Sequence, residues 1–334
     1  MTPYDADVWP IPVGSVSITG DVPSTSRFIS GLYSLDHSLS DATGQIGVPL
    51  RGSLEIYGRW ETGKSTLGYY LAGRVSDSGR IVLIDLEGGA REDYLKSAVA
   101  QAGFIGELHR VEFGKPDAPR SHEDMLKEGA DAFLSDDVRC VLLDSAAMTQ
   151  PLPEREGDIE EAFMGRRAQV LAKFIRRCNS WINSAKEDKL LIVINHMLQS
   201  MDGFGKMSPG GDTLKFGIHT RLWISRTQSK DQTLPYGAFT SDIEIEKLRF
   251  GGKNQDRKGR VAIIPTVGVS PELTAAFDAF AIKKARRQAG TGMVQYQKDG
   301  AWVDVALLKD LIKELLDGKR DSFDPFFEIL KNHV

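Results

Sequence analysis

One stretch, Gly58-Arg59-Trp60-Glu61-Thr62-Gly63-Lys64-Ser65-Thr66, constrains this chain more than any other part of it. It fits G-x-x-x-x-G-K-[ST], a loop whose backbone N–H groups wrap phosphate oxygens. Gly58 and Gly63 are expected to supply the backbone angles that turn successive N–H groups inward. Lys64 offers a point charge to β- and γ-phosphates, and the Ser65 hydroxyl offers a ligand to Mg²⁺. The flanks agree with the pattern. Ser53-Leu54-Glu55-Ile56-Tyr57 reads as a short strand, and Thr66-Leu67-Gly68-Tyr69-Tyr70-Leu71-Ala72 reads as a helix. The phosphates would then lie at a helix N-terminus, where the dipole favours them.

From residue 53 onward, apolar strands alternate with helices. Arg80-Ile81-Val82-Leu83-Ile84-Asp85-Leu86-Glu87 is an apolar run with acids at its end. Val138-Arg139-Cys140-Val141-Leu142-Leu143-Asp144-Ser145 and Lys189-Leu190-Leu191-Ile192-Val193-Ile194-Asn195-His196 repeat that form. Such runs suit parallel strands buried on both faces, with function at their C-terminal ends. Between the last two, Val170, Leu171, Phe174, Ile175, Cys178, Trp181 and Ile182 fall on one face of a helix. Three more strands follow, at 221–226, 242–250 and 260–266. After about residue 270 the pattern changes to helices around a hairpin at Lys298-Asp299-Gly300. The expected organisation is an extended arm over residues 1–27, a core over 28–270 and a small α+β domain over 271–334. Within the arm, Val16-Ser17-Ile18 could form a short strand.

Charge and cysteine usage narrow the class. The net charge is −4, and residues 1–48 hold five acids and one arginine, so the rest of the chain is neutral. A generally basic nucleic-acid binder is excluded, and any such contact must come from local clusters. Cys140 and Cys178 fall in a predicted strand and helix, which suits core thiols in a reducing compartment. No apolar run approaches the roughly 18 residues of a membrane span, and the N-terminus has no secretory pattern. A cytoplasmic protein without membrane contact is expected.

The strand ends supply the remaining chemistry. Asp144 follows Val141-Leu142-Leu143 and is the candidate for the metal's shell. Glu87 ends a strand expected to neighbour the phosphate-loop strand, where a carboxylate can reach a water near the γ-phosphate. Asn195 and His196 end a third strand and could sense that phosphate, although a histidine in such a place is as often structural. The segment 197–212 is rich in glycine and methionine, with Met201, Phe204 and Lys206. Loops of this length are functional or disordered. Either its apolar side chains wedge between nucleic-acid bases while Gly N–H groups meet phosphates, or it is a plain surface loop.

Together these features resemble the RecA family of DNA recombinases. Ile29-Ser30-Gly31-Leu32-Tyr33-Ser34-Leu35-Asp36 resembles the stretch that precedes the ATPase core there. Ile56-Tyr57-Gly58 through Thr66-Leu67 resembles the family's phosphate loop, and Ile84-Asp85-Leu86-Glu87 the strand carrying its catalytic glutamate. Leu143-Asp144-Ser145-Ala146-Ala147 resembles the Mg²⁺-linked strand, and Ile194-Asn195-His196 the strand with the nucleotide sensor. Gly210-Gly211-Asp212-Thr213-Leu214-Lys215-Phe216 resembles the end of the second DNA-binding loop. The likeness covers roughly residues 28–270 and is carried by the ordered set, since a phosphate loop alone is unspecific.

The resemblance implies an α/β fold with a RecA-like P-loop ATPase core and a mostly parallel central sheet flanked by helices. It implies ATP and Mg²⁺ as cofactors and a nucleotide cradle of Gly58, Arg59, Trp60, Glu61, Thr62, Gly63, Lys64, Ser65 and Thr66. Tyr94 falls at the spacing of the tyrosine that stacks on adenine. Ser65 and Asp144 would hold the metal, and Glu87 would act as base. Residues 151–164 fall at the first DNA-binding loop, with Met164 matching a Met-Gly pair and Arg166 and Arg167 adding charge. In the second loop, Met201, Phe204, Lys206, Gly210 and Gly211 are the corresponding DNA-facing residues. Lys247 and Arg249 sit where two lysines reach the neighbouring subunit's ATP. The expected partners are single-stranded DNA, homologous duplex DNA, further copies in a helical filament, and single-strand-binding and mediator proteins. The implied activity is DNA-dependent ATP hydrolysis driving homologous pairing and strand exchange; the alternative is a RecA-fold accessory ATPase without strand exchange.

Three departures stand out. Trp60 and Glu61 occupy positions where the family has Glu then Ser, His196 replaces Gln, and Asp212 replaces Asn beside the glycine pair. The alternation of the strand near 242–250 also puts Lys247 and Arg249 on the face of Ile243 and Ile245, unless the strand ends or turns there, as a bend at Phe250-Gly251-Gly252 would allow. Two buried unpaired cations would be costly, so an interface with a neighbour's ATP is expected to take them.

Overall fold

The computed structural model describes residues 26–115, 117–152, 165–199, 206–207, 209–227, 234–249, 251 and 257–333. Residues 1–25 of the arm with the Val16-Ser17-Ile18 strand, residues 153–164 of the first candidate loop with Met164, and Met201 and Phe204 of the second lie outside the described residues. The core follows the expected alternation. It runs β1 (Gly52–Gly58), α1 (Lys64–Ser76), β2 (Arg80–Asp85), α2 (Glu92–Ala100), β3 (Glu107–Arg110), α3 (His122–Asp131) and β4 (Val138–Asp144). Next come α4 (Arg166–Ser184), β5 (Leu190–His196), α5 (Gly211–Gly217), β6 (Thr220–Arg226), β7 (Phe239–Leu248), β8 (Lys258–Ile264) and β9 (Gly268–Val269).

These nine strands form one sheet in the order β9-β8-β7-β6-β1-β5-β4-β2-β3. The six strands from β6 to β3 are parallel, and β7, β8 and β9 add antiparallel pairs at one edge. The order corrects one expectation. β2, the strand before Glu87, does not neighbour β1; β5 and β4 lie between them. Each crossover helix covers the sheet, and the chain skips positions in returning to it.

The unbroken apolar runs follow from burial on both faces. Ile81, Leu83, Leu142, Ile192 and Ile194 pack on one side with Leu67 and Leu71 of α1 and Leu95 of α2. Val82, Ile84, Val141, Leu143, Leu191 and Val193 pack on the other, with Met125 of α3 and Leu171, Phe174, Ile175 and Cys178 of α4. Side chains alternate across a strand, so each face receives every second residue. Burying each such side chain contributes roughly 1.5–3 kcal/mol. Cys140 and Cys178 are both buried free thiols.

Beyond the core, α6 (Pro271–Ala281) leads to a three-stranded sheet of β10 (Ala285–Arg287), β11 (Met293–Lys298) and β12 (Ala301–Leu307). The β11–β12 turn has positive φ at both Asp299 (51°) and Gly300 (82°), the geometry of a tight hairpin. Two helices, α7 (Leu308–Leu316) and α8 (Asp324–Lys331), complete this part. Its apolar cluster, with Leu311, Phe323 and Phe326, continues into Ala262 and Ile264 of β8. No helix among the described residues is long and apolar enough to cross a membrane.

Candidate functional site

The loop from Gly58 to Lys64 leaves the C-terminal end of β1 and enters α1. The two glycines do different work. Gly63 caps α1 in the left-handed region at φ 82°. Gly58 does not have positive φ; a Cβ there would lie 2.1 Å from the Ile224 carbonyl oxygen of β6. Close backbone approach, rather than an unusual angle, therefore demands glycine at 58. The second positive φ in the loop belongs to Glu61, at 55°. The antiparallel strands brace the loop from the side, because Ser241 Oγ of β7 donates to the Thr62 carbonyl at 2.9 Å. Trp60 at its tip is 75% exposed, and Arg59 and Glu61 are exposed beside it.

Lys64 is buried and donates to the Arg59 carbonyl at 2.5 Å. Burial lowers the pKa of its ammonium, while Asp144 and then Glu87 oppose that shift. No acidic residue occupies the first turn of α1. A buried cation at an uncompensated helix N-terminus is suited to an anion. Thr66 Oγ1 hydrogen-bonds the Tyr94 hydroxyl, which places the half-buried Tyr94 ring beside the same helix start.

Two carboxylates face this corner. Asp144, at the end of β4, is 4% exposed, and burial pushes its pKa up to about 6. The Tyr69 hydroxyl donates to Asp144 Oδ2 at 2.7 Å, while Oδ1 is buried with no hydrogen-bond partner. Burial and then the Asp144 charge drive the Tyr69 phenol far above its ordinary pKa, so it remains a donor. The orphaned oxygen and the Ser65 hydroxyl are hard donors of the kind Mg²⁺ takes, directly or through water. The residues present thus fit Mg²⁺, with Ser65 and Asp144 as the groups that would hold it.

Glu87 lies just past β2. Its Oε1 accepts from Ser145 Oγ at 2.5 Å and lies 2.8 Å from His196 Nε2. The His196 hydrogen bond holds the Glu87 carboxyl below the ordinary range, against burial and with help from Ser145. The turn that carries Glu87 is built by Asp85, which accepts from Gly88 N at 2.8 Å, Ala90 N at 3.1 Å and Arg110 at 2.6 Å. Asp85 is fully engaged in this role.

Other sequence-selected residues go elsewhere. Asn195 is fully buried, and its Nδ2 donates to Glu55 Oε1 and to the Pro209 carbonyl, both at 2.9 Å. It ties β1 to the end of the 197–212 segment. Lys247 corrects the argument from alternation. Arg221 pairs with Lys247 and Leu222 with Ile245, so Glu246 bulges and the alternation breaks there. Lys247 Nζ donates to the Lys215, Phe216 and Ile218 carbonyls at 2.7, 3.3 and 2.6 Å. A cation at the carbonyl end of α5 is compensated within its own chain. Arg249 is exposed, and its backbone N–H donates to the His219 carbonyl. Both residues lie near the start of β6, with Lys247 level with Glu55 rather than Gly58 of β1.

The DNA-facing candidates divide similarly. Gly165 caps α4 at φ 82°, and Arg166 and Arg167 fill its first turn, which holds no acid. Gly210 and Gly211 have φ of 104° and 63° at the start of α5. A Cβ on Gly211 would sit 4.0 Å from Ala168 Cβ, so the two helix starts are adjacent. The backbone of Lys206 pairs with Gln199 in a two-residue ladder. The ends of both candidate loops thus meet on one side of the sheet.

Sequence reasoning missed Ser145, Tyr69, Glu55 and Arg221. Tyr69 had a signal, since it follows Ser65 by four residues on a helix and so shares its face. Glu55 had one too, as an acid inside a buried strand, which demands a partner. Arg221 Nε meets its Oε2 at 2.6 Å.

A glycine-braced phosphate loop and convergent carboxylates at the C-terminal edge of parallel strands define the P-loop class of α/β folds. The chain matches the RecA N-terminal domain over residues 13–253, and it belongs to that family. It is 25% identical over 299 residues to Protein RecA of Macrococcus caseolyticus, covering 86% of this chain and 76% of that protein. It is 29% identical over 264 residues to Protein RecA of Staphylococcus aureus, covering 78% of this chain and 72% of that one. A match to Protein RecA of Mycoplasma pneumoniae, 26% identical over 214 residues, covers 63% of this chain and spans 60% of that protein.

Proposed function

We propose that this protein is an ATP-dependent, Mg²⁺-requiring recombinase that assembles as a helical filament on single-stranded DNA and pairs it with homologous duplex. The observation that carries the reading is the convergence of Lys64, Asp144 and the Glu87–His196 pair around one helix start, with both candidate DNA loops ending on adjacent helices. Mg²⁺, when bound, would neutralise charge on the β- and γ-phosphates. Lys64 would exchange the Arg59 carbonyl for phosphate oxygens. Tyr94 would cover the adenine.

Glu87 would orient the attacking water. Phosphoryl transfer passes through a loose transition state, so positioning matters more than basicity. A carboxylate held ionised by two donors on one oxygen suits that task. Because His196 and Ser145 hold it from different strands, a shift of β5 relative to β4 would alter its aim. Arg166 and Arg167 would meet phosphates at the start of α4, with residues 151–164 and 197–212 contacting the strand. The arm is assigned to self-association, with single-strand-binding and mediator proteins as partners in the reaction.

The test is a strand-exchange assay between circular single-stranded DNA and homologous linear duplex, with DNA-stimulated ATP turnover measured in parallel. Joint molecules that require ATP and homology support the proposal. DNA-stimulated turnover without joint molecules would instead assign the chain as an accessory ATPase.

A further inference from the structure

Asp144 is gripped by a side chain that the phosphate-loop pattern does not contain. Tyr69 lies on α1 four residues after Ser65, so one helix face presents both toward the end of β4. Its hydroxyl donates to Asp144 Oδ2 at 2.7 Å, and its side chain is buried in the apolar cluster that also holds Leu67 and Leu142. Asp144 Oδ1 is left buried without a partner. We infer that Tyr69 is a positioning residue for the metal, fixing Asp144 through Oδ2 and keeping Oδ1 available to Mg²⁺ or its water. This rests on the proposed nucleotide site and concerns only how its metal is held.

The physical reason is competition between donors, since the Ser65 hydroxyl also reaches Asp144. A buried carboxylate free to rotate would turn either oxygen to whichever donor is nearest, and its metal-facing oxygen would be undefined. A rigid phenol clamped in the core removes that freedom, because rotation would strand both its hydroxyl and Oδ2 without partners. Removing a group that orients a metal-binding carboxylate typically lowers metal affinity 10–100-fold.

Tyr69→Phe removes the hydroxyl and keeps the ring. With all 334 residues present, binding of a fluorescent ATP analogue is titrated with Mg²⁺, without reference to turnover. The expected result is a rise of about 10-fold or more in the Mg²⁺ concentration at half-maximal enhancement of binding. Nucleotide binding in excess EDTA should stay at the parent level. Tyr69→Leu should give the same shift, with thermal unfolding followed for both variants. A lowered Tm with an unmoved Mg²⁺ midpoint would make Tyr69 a packing residue and overturn the inference. If the unsubstituted protein binds nucleotide with no dependence on Mg²⁺, the proposed site fails and this inference fails with it.

Discussion

Replacing Arg221 by Met should destabilise the core by about 3–5 kcal/mol, because it strands a buried charge. Glu55 is 0% exposed in the middle of β1, and its two oxygens are shared between Arg221 Nε at 2.6 Å and Asn195 Nδ2 at 2.9 Å. Arg221 itself stacks 4.6 Å from the centre of the Tyr57 ring and lies 3.4 Å from Glu246. Without the guanidinium, the carboxylate would keep a single amide donor. Losing the stacked cation overlaps with that cost and adds at most about 1–2 kcal/mol. The double variant Arg221→Met/Glu55→Leu removes both charges and fills the space with apolar groups, which is often close to neutral. Asn195 would still donate to Pro209. Urea denaturation of the parent, both single variants and the double gives the coupling energy. Recovery of at least about 2 kcal/mol in the double is expected. Additive losses within about 0.5 kcal/mol would refute a coupled buried pair. Hydrogen exchange at residues 209–217 should quicken in Arg221→Met, since Asn195 ties this network to Pro209.

Glu87→Gln should retain nucleotide binding and lose most ATP turnover, as an amide keeps the size but not the charge; full turnover would move the water-orienting role elsewhere, and Asp85 is already engaged. His196→Ala should move the acid limb of turnover to higher pH. His196 holds the Glu87 carboxyl below its ordinary range, so the ionised form persists to low pH and is lost as pH falls through that depressed value. Without His196 the loss comes at higher pH, and an unmoved limb would disprove the link. Arg166→Ala/Arg167→Ala should weaken single-stranded DNA binding and reduce the salt slope by roughly 1.4, at about 0.7 per phosphate contact; an unchanged slope would remove both arginines from the interface. Mixing Lys247→Ala/Arg249→Ala subunits with Glu87→Gln subunits should restore part of the turnover that each lacks, and a co-assembled mixture as inactive as its components would exclude action across subunits.

What was legible in the sequence was local. The phosphate loop is contiguous, and a run such as Leu190-Leu191-Ile192-Val193-Ile194 declares a doubly buried strand by itself. Strand order was not legible in the same way. Nothing between residues 58 and 80 records that β5 and β4 will later be inserted between β1 and β2. The acid at 87 was singled out because chemistry gathers at the C-terminal edge of parallel strands, whichever strands are adjacent. Ser145 and His196 reach it from separate strands, and their shared grip on Oε1 exists only after the sheet is assembled. The alternation around Lys247 broke for a related reason. Alternation holds while pairing is regular, and a bulge at Glu246 cannot be seen in one strand alone.

The placement of Lys247 and Arg249 narrows what either can do. Through Arg221 at the start of β6, Lys247 is level with Glu55, and Arg249 follows Leu248, which is level with Leu54, whereas the phosphate loop leaves β1 after Gly58. Three residues of strand separate Glu55 from Gly58, on the order of 10 Å at about 3.3 Å per residue. Neither cation is therefore placed at the level of Asp144 and Glu87 of its own chain, and Lys247 is already bound to three carbonyls at the end of α5. For Lys247 to serve ATP hydrolysis, a second copy must bring its phosphates to this edge, and α5 must release the ammonium or share it. That helix begins at Gly210 and Gly211, where the segment 197–212 ends. The same short helix thus joins a candidate DNA loop at one end to a candidate intersubunit cation at the other. Under the proposed function, DNA that repositions the start of α5 would also shift the carbonyls that hold Lys247. Seven residues of helix, about 10 Å long, would then connect DNA binding to the neighbour's nucleotide.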